Sequence, residues 1–142
     1  MDNIAEDKKL IALALEARLK AYAPYSGFYV GAALLAESGK IYQGCNIENA
    51  SYGATNCAER TAVFKAVSEG ERKLSAIAIV GGMREKELTY AYPCGICRQV
   101  LREFCDPENM WVIIARSETE YKKMRLSELL PESFGPDFAA GN

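Results

Sequence analysis

The sequence predicts an α/β fold, namely a three-layer α/β/α sandwich with a mixed sheet of about five strands, in a single domain over residues 1–142. Three observations predict it. A strand pair is followed by helix, strand, helix and strand, which is a mixed α/β order. Hydrophobic residues make up 49% of the chain and charged residues 25%, as is typical of globular domains. A chain of 142 residues also fits one domain of ordinary size.

The first predicted element is an amphipathic helix over Ile4–Tyr22. Its apolar residues recur at steps of three and four, which is the helical period. Asp2 or Asn3 can cap its start, and Pro24 stops it because proline cannot continue a helix.

The remaining elements follow from turn residues and from short apolar runs. Two strands over Tyr29–Ala36 and Lys40–Cys45 form a hairpin that turns at Ser38 and Gly39. After them we predict a polar loop over Asn46–Asn56, a helix over Cys57–Glu69 closed by Gly70, a buried strand over Leu74–Val80, an irregular stretch with some extended chain over Gly81–Tyr92, a helix over Gly95–Cys105, a strand over Trp111–Ala115, a short helix over Leu126–Leu130 that ends at Pro131, and a loose tail after Phe134.

Charge and residue content exclude several classes of protein. Lys and Arg number 17 against 19 Asp and Glu, a net charge of −2, which argues against a nucleic-acid partner. No apolar run approaches the roughly 20 residues that span a bilayer, and Met1–Lys9 lacks a signal-peptide pattern. We therefore expect a cytoplasmic protein. The absence of histidine rules out Ser-His-Asp and Cys-His nucleophiles and histidine-based zinc proteases.

Three of the five cysteines form the strongest chemical signal. Cys57 opens one predicted helix, and Cys94 and Cys97 open another at a spacing that puts both on one helix face. Three cysteine ligands leave one of the four positions of zinc open to water, which is the catalytic pattern. Two alternatives stay open. One is a structural zinc site closed by Cys45 or Cys105, and the other is a set of reduced core cysteines or a redox pair.

Glu59 and two arginines favour the catalytic alternative. Glu59 lies two residues after Cys57, so it does not share its helix face; we expect it beside the open metal position, where a carboxylate can move protons. A first-turn Glu that only favours the helix dipole is the plainer explanation. Three thiolates on Zn²⁺ leave a net negative charge, and Arg60 and Arg98 are candidate hydrogen-bond donors to the sulfurs. Solvated surface arginines are the alternative.

Motifs from both halves of the chain, over about residues 5–138, carry a resemblance to a known family. They are Tyr25-Ser26-Gly27-Phe28-Tyr29-Val30-Gly31-Ala32-Ala33, Gly44-Cys45-Asn46-Ile47-Glu48-Asn49-Ala50, Asn56-Cys57-Ala58-Glu59-Arg60-Thr61-Ala62, Pro93-Cys94-Gly95-Ile96-Cys97-Arg98-Gln99 and Glu128-Leu129-Leu130-Pro131. Together they resemble the small homotetrameric cytidine deaminases that bind zinc through three cysteines.

The resemblance implies an activity and a metal. The activity is zinc-dependent hydrolytic deamination of cytidine and deoxycytidine to uridine and deoxyuridine, with release of ammonia, in pyrimidine salvage. It implies one Zn²⁺ per subunit held by Cys57, Cys94 and Cys97, with Glu59 as the proton shuttle and Arg60 bonding the thiolates.

The resemblance further implies how the nucleoside is held. Asn46 and Glu48 would hydrogen-bond the ribose 3′-hydroxyl, Phe28 would pack against the pyrimidine, and the backbone of Ala58 would read the edge of the base. Loop capping by Asn46 and Glu48, and core packing by Phe28, are the structural alternatives.

In such tetramers the sites are shared between subunits. Ala50 and Tyr52 would reach a neighbour's site, and Phe134 would lend an aromatic ring across the interface, with core packing as the alternative for both aromatic residues. Two positions depart from the family pattern. Tyr29 stands where proline is frequent, and Tyr92 stands where a small hydroxyl residue is common, close to where the amino group leaves.

Three other functions are compatible with parts of the pattern. The first is a deaminase for a modified nucleoside such as blasticidin S. The second is a non-enzymatic interaction domain stabilised by zinc with four protein ligands. The third is a polynucleotide deaminase, which would need a basic channel that the net charge of −2 argues against.

Overall fold

The computed structural model describes residues 3–136, which form a five-stranded sheet with helices on both faces. The elements are α1 (Ile4–Arg18), β1 (Phe28–Ala36), β2 (Ile41–Cys45), a 3-10 turn (Tyr52–Ala54), α2 (Ala58–Ser68), β3 (Leu74–Met83), α3 (Gly95–Glu103), β4 (Trp111–Ala115), β5 (Tyr121–Arg125) and α4 (Leu126–Leu129). The predicted α/β class is confirmed.

The strands lie in the order β2-β1-β3-β4-β5. β1 pairs antiparallel with both β2 and β3, β3 runs parallel to β4, and β4 pairs antiparallel with β5. Parallel neighbours need a crossover connection, and α3 lies in the one that joins β3 to β4. The predicted mixed sheet is therefore confirmed.

Alternating residues of β3 face two separate apolar layers, as the two-residue period of a strand requires. Ile77 and Ile79 pack in the cluster that contains buried residues of α2 and α3, whereas Ala78 and Val80 pack in the cluster that contains the apolar face of α1. The sheet is thus covered on both sides, which is the predicted three-layer sandwich.

A glycine on β2 brings α2 very close to the sheet. A Cβ atom added to Gly44 would lie 2.5 Å from the carbonyl oxygen of Ala58 and 2.6 Å from the amide nitrogen of Ala62. Only glycine allows this approach. Because Cys57 and Glu59 lie at the start of α2, this close contact sets the distance of both residues from the sheet.

The prediction for the first helix was wrong at its end. Asn3 caps α1 by accepting a hydrogen bond from the amide of Glu6, but the helix stops at Arg18 rather than Tyr22. Tyr22 instead donates its amide to Asn46 and accepts from the amide of Glu48. Pairing with the loop after β2 therefore replaces the last helical turn.

The fifth strand was not located from the sequence. β5 has the sequence YKKMR, which lacks the apolar alternation that identifies a strand. It lies at the sheet edge, where charged residues are common. The stretch predicted as irregular from Gly81 begins instead as the last three residues of β3.

Two predictions fall on residues that the structure does not describe. They are the cap at Asp2 and the greater part of the tail, residues 137–142. Within residues 3–136, no helix combines the length and the apolar character needed to cross a membrane.

Candidate metal centre and substrate cavity

Two cysteines of the predicted metal site are the N-caps of two helices. Cys57 is the N-cap of α2 and Cys94 the N-cap of α3, and the sulfur of Cys94 accepts a hydrogen bond from the amide of Cys97. Helix N-termini carry free amide groups and a partial positive charge, which favour anions. The fold therefore places these sulfurs where thiolates are stabilised.

The three sulfurs lie close enough together to share one metal ion. The Sγ atoms of Cys57, Cys94 and Cys97 all lie within 4.8 Å of one another, and those of Cys57 and Cys94 are 3.9 Å apart. With zinc–sulfur bonds of about 2.3 Å, two ligands of a tetrahedron would be about 3.8 Å apart. The donor set of three soft thiol ligands and its spacing thus fit zinc.

The cluster leaves the fourth zinc position without a cysteine. Within residues 3–136 the group that could hold a metal comprises Cys57, Cys94 and Cys97. Cys45 ends β2, and Cys105 follows α3, where burial raises the pKa of its thiol to about 12. Three ligands are the arrangement of catalytic zinc sites, so the structure does not support the alternative of a four-cysteine structural site.

Arg60 supplies positive charge to the cluster. Its Nη2 atom donates a hydrogen bond of 3.2 Å to the sulfur of Cys57. The pKa of Cys57 is lowered to about 5, chiefly because Cys97 donates a hydrogen bond to its sulfur and additionally because Arg60 does. Conversely, the pKa of the buried Cys97 thiol is raised, because it keeps the proton that it donates to Cys57.

Arg98 acts differently from the second-donor role considered from the sequence. Its Nε atom donates to the carbonyl of Pro93 and its Nη1 atom to the carbonyl of Leu129, each over 2.8 Å. In the part of the chain that the structure describes, we find no hydrogen bond from Arg98 to a sulfur. Its guanidinium instead connects the residue before Cys94 to the end of α4. Arg98 thereby stabilises the turn that carries Cys94.

Glu59 is an almost fully buried acid beside the cysteines. It is 4% exposed and lines the same cavity as Cys57 and Cys94. Burial raises the pKa of its carboxyl to about 7. A group with such a pKa can both accept and donate a proton near neutral pH.

One cavity joins the metal cluster to the predicted nucleoside contacts. Its volume is about 540 Å³, within the usual range for small-molecule sites. Its lining residues are Ser26, Phe28, Val30, Asn46, Glu48, Thr55, Asn56, Cys57, Ala58, Glu59, Ile79, Tyr90, Ala91, Tyr92 and Cys94. All four contacts predicted within one subunit, Phe28, Asn46, Glu48 and Ala58, thus meet in this cavity.

Asn46 fixes the backbone of β1 beside the cavity. Its Oδ1 atom accepts from the amide of Val30, and its Nδ2 atom donates to the carbonyl of Phe28, each over 2.9 Å. A carboxamide has a second lone pair on oxygen and a second N–H on nitrogen. Asn46 therefore has the structural role that was the alternative to substrate binding. One lone pair and one N–H of its carboxamide are left for a ligand.

Glu48 organises the chain just before Phe28. Its Oε1 atom accepts from the amides of Tyr25, at 2.9 Å, and Ser26, at 3.1 Å, and its Oε2 atom accepts from the hydroxyl of Ser26. That hydroxyl in turn accepts from the amide of Phe28 over 3.0 Å. The hydrogen bond from the Ser26 hydroxyl lowers the pKa of Glu48, so Glu48 is an anion at the mouth of the cavity.

The three residues predicted to act across subunits are not in the cavity of their own chain. Tyr52 is 75% exposed and Phe134 65%, and Ala50 is exposed as well. The ring of Tyr52 makes an edge-to-face contact with Tyr25, with the centroids 5.8 Å apart. This exposure excludes the alternative that Tyr52 and Phe134 are core residues of the subunit.

Sequence reasoning missed one wall of the cavity. Tyr90 and Ala91 line it together with Tyr92, the residue that departs from the family pattern. The position of this segment directly before Pro93 and Cys94 is a signal that could have identified it. Ser26, the hydroxyl partner of Glu48, was likewise not predicted as a site residue, although it lies in the motif that contains Phe28.

Comparison with known proteins gives consistent matches. The family model described as the cytidine and deoxycytidylate deaminase zinc-binding region matches residues 4–113. A protein of Sporosarcina psychrophila named cytidine deaminase is 49% identical over 130 residues, 92% of each chain. One of Halalkalibacterium halodurans with the same name is 50% identical over 125 residues, 88% of this chain and 91% of the other. The crystal structure of cytidine deaminase from Burkholderia pseudomallei superposes with a TM-score of 0.80 at 45% identity, covering 94% of this chain and all of the other.

Proposed function

Because this chain belongs to the cytidine and deoxycytidylate deaminase family, we propose that it is a zinc-dependent enzyme that hydrolyses cytidine and deoxycytidine to uridine and deoxyuridine. Water adds to C4 of the cytosine ring, and ammonia leaves from the same carbon. The observation that carries this proposal is the single cavity that contains three clustered sulfurs, a buried carboxylic acid and polar groups suited to a sugar.

The metal is held by Cys57, Cys94 and Cys97, whose sulfurs fit a tetrahedral site with one open position. When bound, zinc supplies Lewis-acid activation of the water that attacks the ring. Arg60 withdraws negative charge from the sulfur of Cys57 through its hydrogen bond. Arg98 keeps the Pro93–Cys94 turn in place.

Glu59 is the proton shuttle. Its carboxylate accepts a proton from the attacking water and delivers it to N3 of the base; it then takes the remaining proton from the new C4 hydroxyl and passes it to the departing amino group, so that ammonia leaves and the C4 carbonyl forms. Support comes from its burial at 4% exposure beside Cys57. A low-dielectric site strengthens the electrostatic interactions that hold the reacting groups.

The nucleoside lies between Phe28 and the polar residues at the mouth of the cavity. Asn46 and Glu48 hydrogen-bond the ribose with the capacity that their contacts to β1 and to Ser26 leave unused. Phe28 packs against the pyrimidine, and the backbone of Ala58 reads the edge of the base. All four residues line the cavity.

The assembly is a homotetramer whose sites are shared between subunits. Support comes from the exposed Tyr52 and Phe134, which are large aromatic residues without a place in the core of their own chain. Ala50 lies on the same exposed loop as Tyr52. The chain acts as a single domain in the cytoplasm, where its five free cysteines stay reduced, and it serves pyrimidine salvage.

The test is the ultraviolet absorbance of cytidine incubated with the purified zinc-loaded protein, with and without a chelator. We expect conversion to uridine that stops when the chelator removes the metal and resumes when zinc is restored. Folded, zinc-replete protein that leaves both cytidine and deoxycytidine unchanged would overturn the proposal. Deoxycytidine is assayed in parallel, and light scattering on the same sample tests the tetramer.

A further inference from the structure

One lysine of the edge strand holds an aromatic wall of the substrate cavity. This wall consists of Tyr90, Ala91 and Tyr92, all of which line the cavity. The Nζ atom of Lys122 donates a hydrogen bond of 2.7 Å to the phenol oxygen of Tyr92. The same Nζ lies 4.5 Å from the ring centre of Tyr90 and 5.4 Å from that of Tyr92, distances at which a cation is attracted to a ring.

The backbone of the wall is attached to the fold at both ends, but packing does little to hold the side chain of Tyr92. The amide of Thr89 donates to the carbonyl of Gly81 over 2.9 Å, which attaches the start of the wall to β3. At the other end, Pro93 and the N-cap residue Cys94 lead into α3. Tyr92 itself is 47% exposed, so little packing restrains its ring. The orientation of that ring therefore depends on the ammonium of Lys122.

The wall lies at the reacting end of the cavity. One residue separates Tyr92 from Cys94, and both line the cavity together with Glu59. Asn46 and Glu48 mark the end that receives the sugar. In the proposed reaction the carbon that loses ammonia faces the cysteines and Glu59. In that orientation the amino group lies at the end of the cavity that Tyr92, Cys94 and Glu59 line.

From these contacts we propose that Lys122 is a positioning residue for substrate specificity. By holding Tyr92, it narrows the cavity beside the leaving amino group and excludes cytosine nucleosides that carry a substituent on that nitrogen. Such a residue does not touch the substrate and acts through Tyr92. The inference rests on the proposed function, because it takes the amino group of cytidine as the group that leaves.

The experiment compares two substrates on the zinc-loaded enzyme. Cytidine loses ammonia and N4-methylcytidine loses methylamine, and both give uridine after addition of one water. The measured quantity is the specificity ratio, the kcat/KM of cytidine divided by that of N4-methylcytidine. One methyl group in a pocket changes such a ratio by about 10- to 200-fold. We expect Tyr92→Ser, which removes the ring, to lower the ratio at least about tenfold.

The positioning role is tested by variants that keep the ring. Tyr92→Phe removes the oxygen that accepts the hydrogen bond, and Lys122→Met removes the donor. We expect each to lower the specificity ratio, by less than Tyr92→Ser does, and Lys122→Met to lower it at least as much as Tyr92→Phe, because it also removes the attraction to the two rings. The double variant should lower it no further than Lys122→Met alone. Lys122→Arg keeps a donor and should restore the ratio. Non-additivity of this kind is the signature of two groups that act through one contact.

Lys86→Met is the matched control. It removes an equal charge from the exposed loop before the wall and should leave the specificity ratio unchanged. Thermal unfolding and zinc content, measured for every variant, show whether each is folded and loaded. A ratio that stays at the wild-type value in Lys122→Met and Tyr92→Phe, or single effects that multiply in the double variant, overturns the inference. Wild-type protein that does not deaminate cytidine overturns the proposed function instead.

Discussion

The guanidinium of Arg60 donates a hydrogen bond to the sulfur of Cys57 from within the first turn of the same helix, with 3.2 Å between Nη2 and Sγ. Cys57 is the N-cap residue of α2 and Arg60 lies in the first turn of that helix. The helix backbone therefore sets the distance between the two side chains. One cation therefore balances part of the charge that three thiolates would bring to a divalent metal.

Replacing Arg60 by Gln should lower kcat while zinc content stays near one per chain. Groups that bond metal ligands typically contribute about 10- to 100-fold to activity, and we expect a loss in that range. Steady-state kinetics combined with metal analysis provides the measurement. Unchanged kcat in the zinc-loaded variant would show that the hydrogen bond to Cys57 does not tune the metal site.

Replacing Glu59 by Gln should remove nearly all turnover. The amide has almost the same shape but cannot carry a proton between water and base, and general acid–base catalysis contributes about 10²- to 10⁴-fold. Zinc binding and nucleoside binding should persist, which metal analysis and calorimetric titration with cytidine can check. Near-normal kcat would assign the proton transfers to another group.

Substitution of a clustered cysteine should lower the zinc content of the protein, whereas substitution of a cysteine outside the cluster should not. Cys57→Ser should lower the zinc content and the activity together, because a hydroxyl is a far weaker zinc ligand than a thiolate. Cys105→Ser, outside the cluster, serves as the control and should retain one zinc per chain. Zinc loss in both variants to the same degree would mean that folding, rather than ligation, controls the metal content.

A buried ion pair ties α1 to the edge strand. The Nζ atom of Lys123 lies 3.1 Å from Oδ1 of Asp7, and the two side chains are 16% and 7% exposed. Removing one partner of a buried pair leaves an uncompensated charge. We therefore expect Lys123→Met to lower the free energy of unfolding by about 3 kcal/mol, measured by urea denaturation.

The double variant of Asp7→Asn with Lys123→Met removes both charges and should recover part of that loss. Equal destabilisation of the single and double variants would indicate that lost packing, rather than the unpaired carboxylate, is responsible.

Gly44→Ala should disturb the metal site without touching it. The added methyl group would lie within 2.5–2.6 Å of backbone atoms of Ala58 and Ala62, so α2 must move away from β2. We expect a lower melting temperature and weaker zinc retention during dialysis against a chelator. Gly53→Ala, where a Cβ would meet nothing within 4 Å, is the control.

Local spacing was sufficient to predict much of this site. Cys94 and Cys97 lie one helical turn apart, and Cys57 and Glu59 open the other helix, so short-range rules place each pair at the start of its own helix. The α/β order followed equally from local patterns. The fifth strand escaped because β5 is an edge strand rich in charge, and edge strands need no apolar alternation.

The remaining features depend on contacts between distant parts of the chain. Lys122 meets Tyr92 across 30 positions, and no property of either segment alone indicates that they touch. The early end of α1 has the same cause, because Tyr22 pairs with the backbone of Asn46 and Glu48. Arg98 shows that a residue beside a metal ligand can equally turn to a backbone carbonyl.

The hydrogen-bond chain from Glu48 through Ser26 to the amide of Phe28 has a consequence for engineering the cavity. In the proposed complex, the carboxylate assigned to the sugar and the ring assigned to the base share one support, the hydroxyl of Ser26. A substitution at Glu48 chosen to admit a different sugar will therefore also shift Phe28 and change which bases fit. In the proposed complex, recognition of the sugar and recognition of the base therefore change together. A redesign has to alter Glu48 and Ser26 at the same time.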